Sequence, residues 1–235
     1  NQFTASIDLS NNVALTKLTL QSAGLTSIDL SKNINLEHLV LSQNTLGSID
    51  LSKNTQLNYA MLLNIGISEI DLSANTKLGL VNVSTNQLTS LDLSASTELY
   101  QVFCNGNQIS NLVLPEDITY TGRVNISNNK LTFSTIPSIT ISKASNFTYA
   151  PQAAMEIATE INEGEELDLS SEAMVGENAT VYTWYTAADN AEFTNYTVEN
   201  GKFVFDVTAD TELYCTMTNA TYSAFSGTKV LKTTN

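Results

Sequence analysis

Five aspartates, Asp8, Asp29, Asp50, Asp71 and Asp92, stand 21 residues apart, and each is followed by a leucine and then a serine. The same interval carries Asn12, Asn33, Asn54 and Asn75, with Ser96 closing the series. A register held at this many positions points to a chain that coils once per period and stacks coil on coil. A coil this short cannot bury its own apolar face, so each neighbour must supply the cover.

One unit read in full gives Leu36-x-x-Leu39-x-Leu41-x-x-Asn44-x-Leu46, then Ile49-Asp50-Leu51-Ser52. This is the LxxLxLxxNxL pattern of a leucine-rich repeat. Leu39 and Leu41 lie two apart on a short strand, so both point to the buried side, and successive strands stack about 4.8 Å apart in a parallel sheet. In leucine-rich-repeat proteins the Asn side chain bonds backbone groups of adjacent turns, and Asn44 is expected to do so here. The return from Leu46 to Leu57 turns Ile49, Leu51 and Leu57 inward. Its Asp-Leu-Ser-x-Asn run consists of residues that bond their own backbone in turns, which predicts an irregular convex side instead of long helices. The last clear unit, Ile109 to Lys130, has 22 residues, with its strand over Arg123–Ser127 followed by Asn129 and Leu131. The pattern dissolves after Pro137. Residues 131 to about 147 read as a closing coil and linker, and the solenoid as 1–147. Thr4 to Gly24 is already a full repeat. Since solenoid ends need cover, either Asn1 to Thr4 provide it or residues preceding Asn1 were removed.

Residues 148–235 differ in character. Residues 149–235 carry 14 acidic and 3 basic residues, against 10 and 7 in residues 1–148. Short alternating runs separated by turn residues predict strands at Glu166–Ser170, Val181–Tyr185, Lys202–Val207, Leu213–Met217 and Val230–Lys232. The predicted fold class is mainly β: a leucine-rich-repeat solenoid with a parallel sheet on its concave face, followed by a β-sandwich. Trp184 on a middle strand and Cys215 on a late one resemble the immunoglobulin fold, in which a buried Trp packs on an inter-sheet disulfide. Leu169 stands where the partner Cys would be, so no such disulfide forms, and Leu213 takes the place of the corner Tyr.

Composition removes several function classes. Charged residues make up 14% of the chain and the net charge is −14, which disfavours nucleic acid and anionic membranes, since both are bound through Lys and Arg. One His and two Cys are too few for a structural zinc site, which needs about four ligands. No apolar run approaches the ~18 residues of a membrane span. Taken together, the repeat form Leu25–Ser31 and Leu46–Leu57 and the following Ig-like domain resemble the secreted or surface-anchored leucine-rich-repeat proteins of Bacteroides-type bacteria. That resemblance implies an extracytoplasmic location, with a lipoprotein signal upstream of the chain. It implies no ligand, because fold alone does not specify function.

The candidate site follows from the register. With Leu18, Leu39, Ala60, Val81, Val102 and Val124 inward, their neighbours form the concave face in three columns. The first holds Lys17, His38, Tyr59, Leu80, Gln101 and Arg123, the central one Thr19, Val40, Met61, Asn82, Phe103 and Asn125, and the third Gln21, Ser42, Leu63, Ser84, Asn105 and Ser127. Val40, Tyr59, Met61, Leu63, Leu80 and Phe103 give it an apolar centre, and Asn82, Gln101, Asn105, Arg123 and Asn125 surround it with polar groups. An apolar patch with a polar rim marks a contact surface. The expected function is non-enzymatic recognition or adhesion, with a protein partner bound there and no cofactor. The alternative is a glycan surface, with Tyr59 and Phe103 as stacking platforms. A hydrolase would need paired carboxylates in one cleft, and the scattered Glu37, Glu69 and Glu98 do not suggest one. The Asp8-to-Asp92 column reads as turn-forming, not calcium-binding, because calcium takes six to eight converging oxygens. His38 has no nucleophile within reach along its strand, and Cys104 and Cys215 read as small core residues.

Overall fold

The computed structural model describes residues 7–115, 121–137, 146–158, 160–162, 164–207 and 211–234. Asn1 to Thr4, the expected cover of the first coil, lie outside them. The chain divides into two compact units, one comprising Asn1–Asn129 with Pro137–Tyr149, the other Lys130–Ile136 with Ala150–Asn235.

The first unit is a parallel β-solenoid. Its three-residue strands are β1 (Lys17–Thr19), β2 (His38–Val40), β3 (Tyr59–Met61), β4 (Leu80–Asn82), β5 (Ser90–Asp92), β6 (Gln101–Phe103), β7 (Asn111–Val113), β8 (Arg123–Asn125) and β9 (Asn146–Thr148). Seven of them form one sheet in the order β1-β2-β3-β4-β6-β8-β9, while β5 and β7 pair on the return side. Leu18, Leu39, Ala60, Val81, Val102 and Val124 occupy successive rungs, so the 21-residue spacing becomes in-register pairing. The last pairing, Val124 with Phe147, spans 23 residues and adds a strand that the repeat pattern does not announce. Leu36, Leu39, Leu41 and Leu57 are fully buried between coils.

Asparagine holds the turns on both sides. Asn44 Nδ2 donates to the carbonyls of Leu20 (2.8 Å) and Leu41 (2.6 Å), while its Oδ1 accepts from the N–H of Ala23 (3.1 Å) and Leu25 (3.0 Å). Asn86, Asn107 and Asn129 repeat the arrangement one coil apart. Ile65 interrupts the series; the N–H groups of Leu46 and Gly47 donate to its backbone carbonyl instead. A second ladder runs along the return side, where Asn33, Asn54 and Asn75 each donate Nδ2 to two carbonyls of the preceding coil. Ser96 keeps one such bond, to Asn75 O.

The second unit is antiparallel. Its strands are β10 (Glu166–Asp168), β11 (Met174–Val175), β12 (Asn178–Thr186), β13 (Glu192–Phe193), β14 (Tyr196–Glu199), β15 (Lys202–Phe205), β16 (Leu213–Asn219) and β17 (Leu231–Lys232). One sheet runs β10-β15-β14, the other β11-β12-β16-β17 with β13 on β12. Trp184 of β12 lies edge-on to Phe203 and Phe205 of β15, with centroids at 5.3 and 4.7 Å, and these rings fill the space between the sheets. Trp184 pairs in register with Cys215 of β16. Residues 130–136, expected in a closing coil, pack within this unit. The buried Glu172 carboxylate accepts from Thr132 Oγ1 (2.8 Å), from the N–H of Ser134 (3.0 Å) and from its hydroxyl. Phe133 is buried against Tyr222 and Phe225.

Candidate functional site

Alternation along each short strand presents two residues outward and one inward, with burial patterns such as His38–Val40 half-buried, buried, half-buried. The outward positions stack into columns because the strands pair in register. Val40, Tyr59, Met61, Leu63 and Phe103 are all half-buried on this face, so none of them has been absorbed into the core. Leu80 departs from them: at 8% exposure it is covered, with Tyr59 and Gln101 its in-register neighbours on either side. His38 and Tyr59 stack face to face at 4.0 Å with 6° between planes, forming a flat two-ring surface beside Leu80. The chain's sole imidazole is thus engaged with an aromatic face.

The polar candidates are partly committed inward. Asn82 Oδ1 accepts from the N–H of Ser84 (3.0 Å), and Asn105 Oδ1 accepts from the Ser84 hydroxyl (2.9 Å). Asn125 Oδ1 accepts from both the N–H (3.2 Å) and the hydroxyl (2.8 Å) of Ser127. Gln101 is half-buried and lies over Gly122, where an added Cβ would fall 2.1 Å from the Gln101 Cγ; this close approach explains the glycine. Arg123 is exposed on β8, the last strand but one of the sheet.

The third column departs from the expectation of a free surface. Ser42, Ser84 and Ser127 are buried, leaving Gln21, Leu63 and Asn105 accessible. Each of these serines immediately precedes a left-handed residue, Gln43 (φ 62°), Thr85 (φ 56°) or Asn128 (φ 55°). The accessible members precede left-handed residues too, Ser22 (φ 52°), Asn64 (φ 52°) and Gly106 (φ 70°), so the whole column lies where the chain leaves the strand and simple alternation no longer reports exposure.

The other chemistry-bearing groups have local partners. Each carboxylate of the Asp8-to-Asp92 column accepts from the N–H of the serine two residues on, at 2.8–2.9 Å. These bonds hold all five below the ordinary carboxylate range. Among the described residues no group of three His, Cys, Asp or Glu side chains could hold a metal ion. Burial pushes the Cys104 and Cys215 thiols up to about 12, so neither is a nucleophile. The second unit contains an open pocket of about 320 Å³, lined by Ile157, Ile161, Leu167, Trp184 and Phe205 and also by the polar side chains of Asn162, Glu165, Thr211 and Glu212, that sequence reasoning did not foresee.

No protein-family model and no curated protein matches the sequence significantly. Solved structures do resemble it. The functional domain of InlJ from Listeria monocytogenes, which includes a cysteine ladder, aligns at 20% identity and a TM-score of 0.50, covering 97% of this chain and 58% of that one. A leucine-rich-repeat protein of Leptospira interrogans aligns at 20% identity and a TM-score of 0.51, covering 61% of this chain and 39% of its own. The chain therefore spans little more than half of the first and well under half of the second. These likenesses show the leucine-rich-repeat fold. With two cysteines, this chain builds no cysteine ladder.

Proposed function

We propose that the chain is a non-enzymatic recognition or adhesion module that binds a protein partner through the concave face of its solenoid. The observation carrying this reading is the group of Val40, Tyr59, Met61 and Leu63, left half-exposed on the adjacent β2 and β3 and at the exit of β3, with Phe103 two rungs on beyond Asn82, while Leu39, Ala60, Leu62 and Val102 beneath them are fully buried. Large apolar side chains kept at a surface and rimmed by polar ones suit a partner that excludes water from them. The second unit serves in this reading as an Ig-like spacer; what supports it is the order β10-β15-β14 in one sheet and β12-β16-β17 in the other, where β11 and β13 also join β12, with Phe203 and Phe205 packed on Trp184. In this reading the chain acts outside the cytoplasm, as in the Bacteroides-type surface proteins it resembles. Among the described residues no helix is long and apolar enough to cross a membrane.

A glycan surface is the second reading, favoured by the flat His38–Tyr59 stack. Against it, the amide oxygen of Asn125 accepts twice from Ser127, and those of Asn82 and Asn105 each already accept from Ser84. A pull-down against extracellular proteins, run beside a glycan array, tests both. The protein reading expects a retained protein that is lost on Met61→Ala with Phe103→Ala, while the melting temperature moves by a few degrees at most. Leu39→Ala, at a fully buried rung, is the contrast and costs about 2–5 kcal/mol of stability. Saturable glycan hits lost on Phe103→Ala would move the assignment to sugar. A collapse in stability of the Met61 and Phe103 variant would mean that these side chains are core.

A further inference from the structure

The solenoid stretch 1–148 contains 10 acidic residues, yet none stands in the three outward columns of the seven-stranded sheet. Asp8, Asp29, Asp50, Asp71 and Asp92 lie on the return side, each tied to its serine. The charges that the sheet face does present are Lys17 on β1 and Arg123 on β8, both exposed, one at each end of the apolar centre. Ion pairs among the described residues are made by Lys130 and Lys202, not by Lys17 or Arg123. Five strand spacings separate β1 from β8, which places the two cations about 24 Å apart along the sheet.

Resting on the protein-binding reading above, we infer that the partner presents to this face an extended segment with an apolar or aromatic centre and carboxylates towards both ends. Seven or eight extended residues cover about 24 Å, so one short segment crossing the strands would meet Lys17, the patch around Met61 and Phe103, and Arg123 together. The net charge of −14 does not forbid an acidic segment. At physiological ionic strength charges more than about 8 Å away are largely screened; the charges within the columns of the face are positive, with Glu37 exposed at the entry to β2 beside Thr16 as a neighbouring carboxylate. Charge at the rim sets orientation and encounter rate, while the apolar centre supplies most of the affinity.

The test selects displayed random 12-residue peptides on the immobilised full chain, then measures one fluorescein-labelled synthetic peptide from the pool by anisotropy. The expected pool is enriched in Asp or Glu on both flanks of an apolar core. Binding of the synthetic peptide is lost in Met61→Ser with Phe103→Ala. In Lys17→Glu with Arg123→Glu it weakens about tenfold, and added salt, expected to weaken binding to the native chain, no longer weakens it. Both charged positions are exposed, so an unchanged melting temperature confirms that the charge variant is folded. A pool rich in Lys and Arg, or peptides that need Met61 and Phe103 but ignore the charge reversal, overturns the inference and leaves the protein-binding reading standing. A pool with no dependence on Met61 and Phe103 overturns both.

Discussion

Asn44 illustrates how much one side chain does in a stacked coil. It is 8% exposed and satisfies two N–H groups and two carbonyls that no strand pairing reaches. Asn44→Ala strands buried donors, so it is expected to cost about 2–3 kcal/mol and to lower the melting temperature by roughly 5–10 °C. Thr85 makes the opposite case. It is β-branched and held at φ 56°, a region that favours Asn and Gly, and Asn64 and Asn128 fill the same column. Thr85→Asn should therefore stabilise by about 0.5–1 kcal/mol, read as a shift in urea midpoint with an unchanged slope. The role of Asn44 was legible because the spacing around it is diagnostic. That of Asn33, Asn54 and Asn75 was not: in an Asp-Leu-Ser-x-Asn run an asparagine that bonds its own turn looks the same as one that reaches back a coil. Ser42, Ser84 and Ser127 were misplaced for a related reason, since period-two alternation stops where the backbone turns left-handed.

At the scale of elements, the five Asp-Leu-Ser turns act together. Their carboxylates are fully or almost fully exposed and held below the value of 3.8 expected in the unfolded chain, chiefly by hydrogen bonds from serine. A depressed folded-state value means that this stabilisation is complete above about pH 4 and is lost as pH falls through the folded-state value. The melting temperature should thus be flat with respect to these groups between pH 8 and 5 and should decline below about pH 4. Replacing Asp29 and Asp50 by Asn keeps an acceptor oxygen for each turn and should shrink that decline; an unchanged acid limb would assign it to other carboxylates. The sheet strands β1, β2, β3, β4, β6 and β8 follow from the repeat, because leucine spacing alone fixes which residues face inward, whereas β5 and β7 pair on the return side, which was expected to be irregular. Strand β9 escapes the pattern because 23 residues separate it from its partner and its inward residue is Phe147, an aromatic where every earlier rung is aliphatic.

For the whole molecule the informative segment is 130–136. It follows the last ladder asparagine directly in sequence, yet Phe133 packs on Tyr222 and Phe225, and Glu172 is buried on donors from Thr132 and Ser134. No sequence pattern reveals a carboxylate whose partners lie 38 to 40 residues away. We expect a fragment of residues 130–235 to melt at least about 12 °C above one of residues 150–235, since the shorter one exposes an aromatic cluster and strips Glu172 of its Thr132 and Ser134 donors, a loss of about 3 kcal/mol or more. Equal melting temperatures would place the segment outside the second unit. The in-register solenoid has a further consequence. Excising one whole 21-residue period would give the shortened chain the same kinds of contact as before, yet draw Lys17 and Arg123 closer by a single rung, about 4.8 Å. Repeat number then works as a ruler whose graduations are set by the peptide backbone, and partner reach could be retuned by duplication or loss of units without redesigning any one of them.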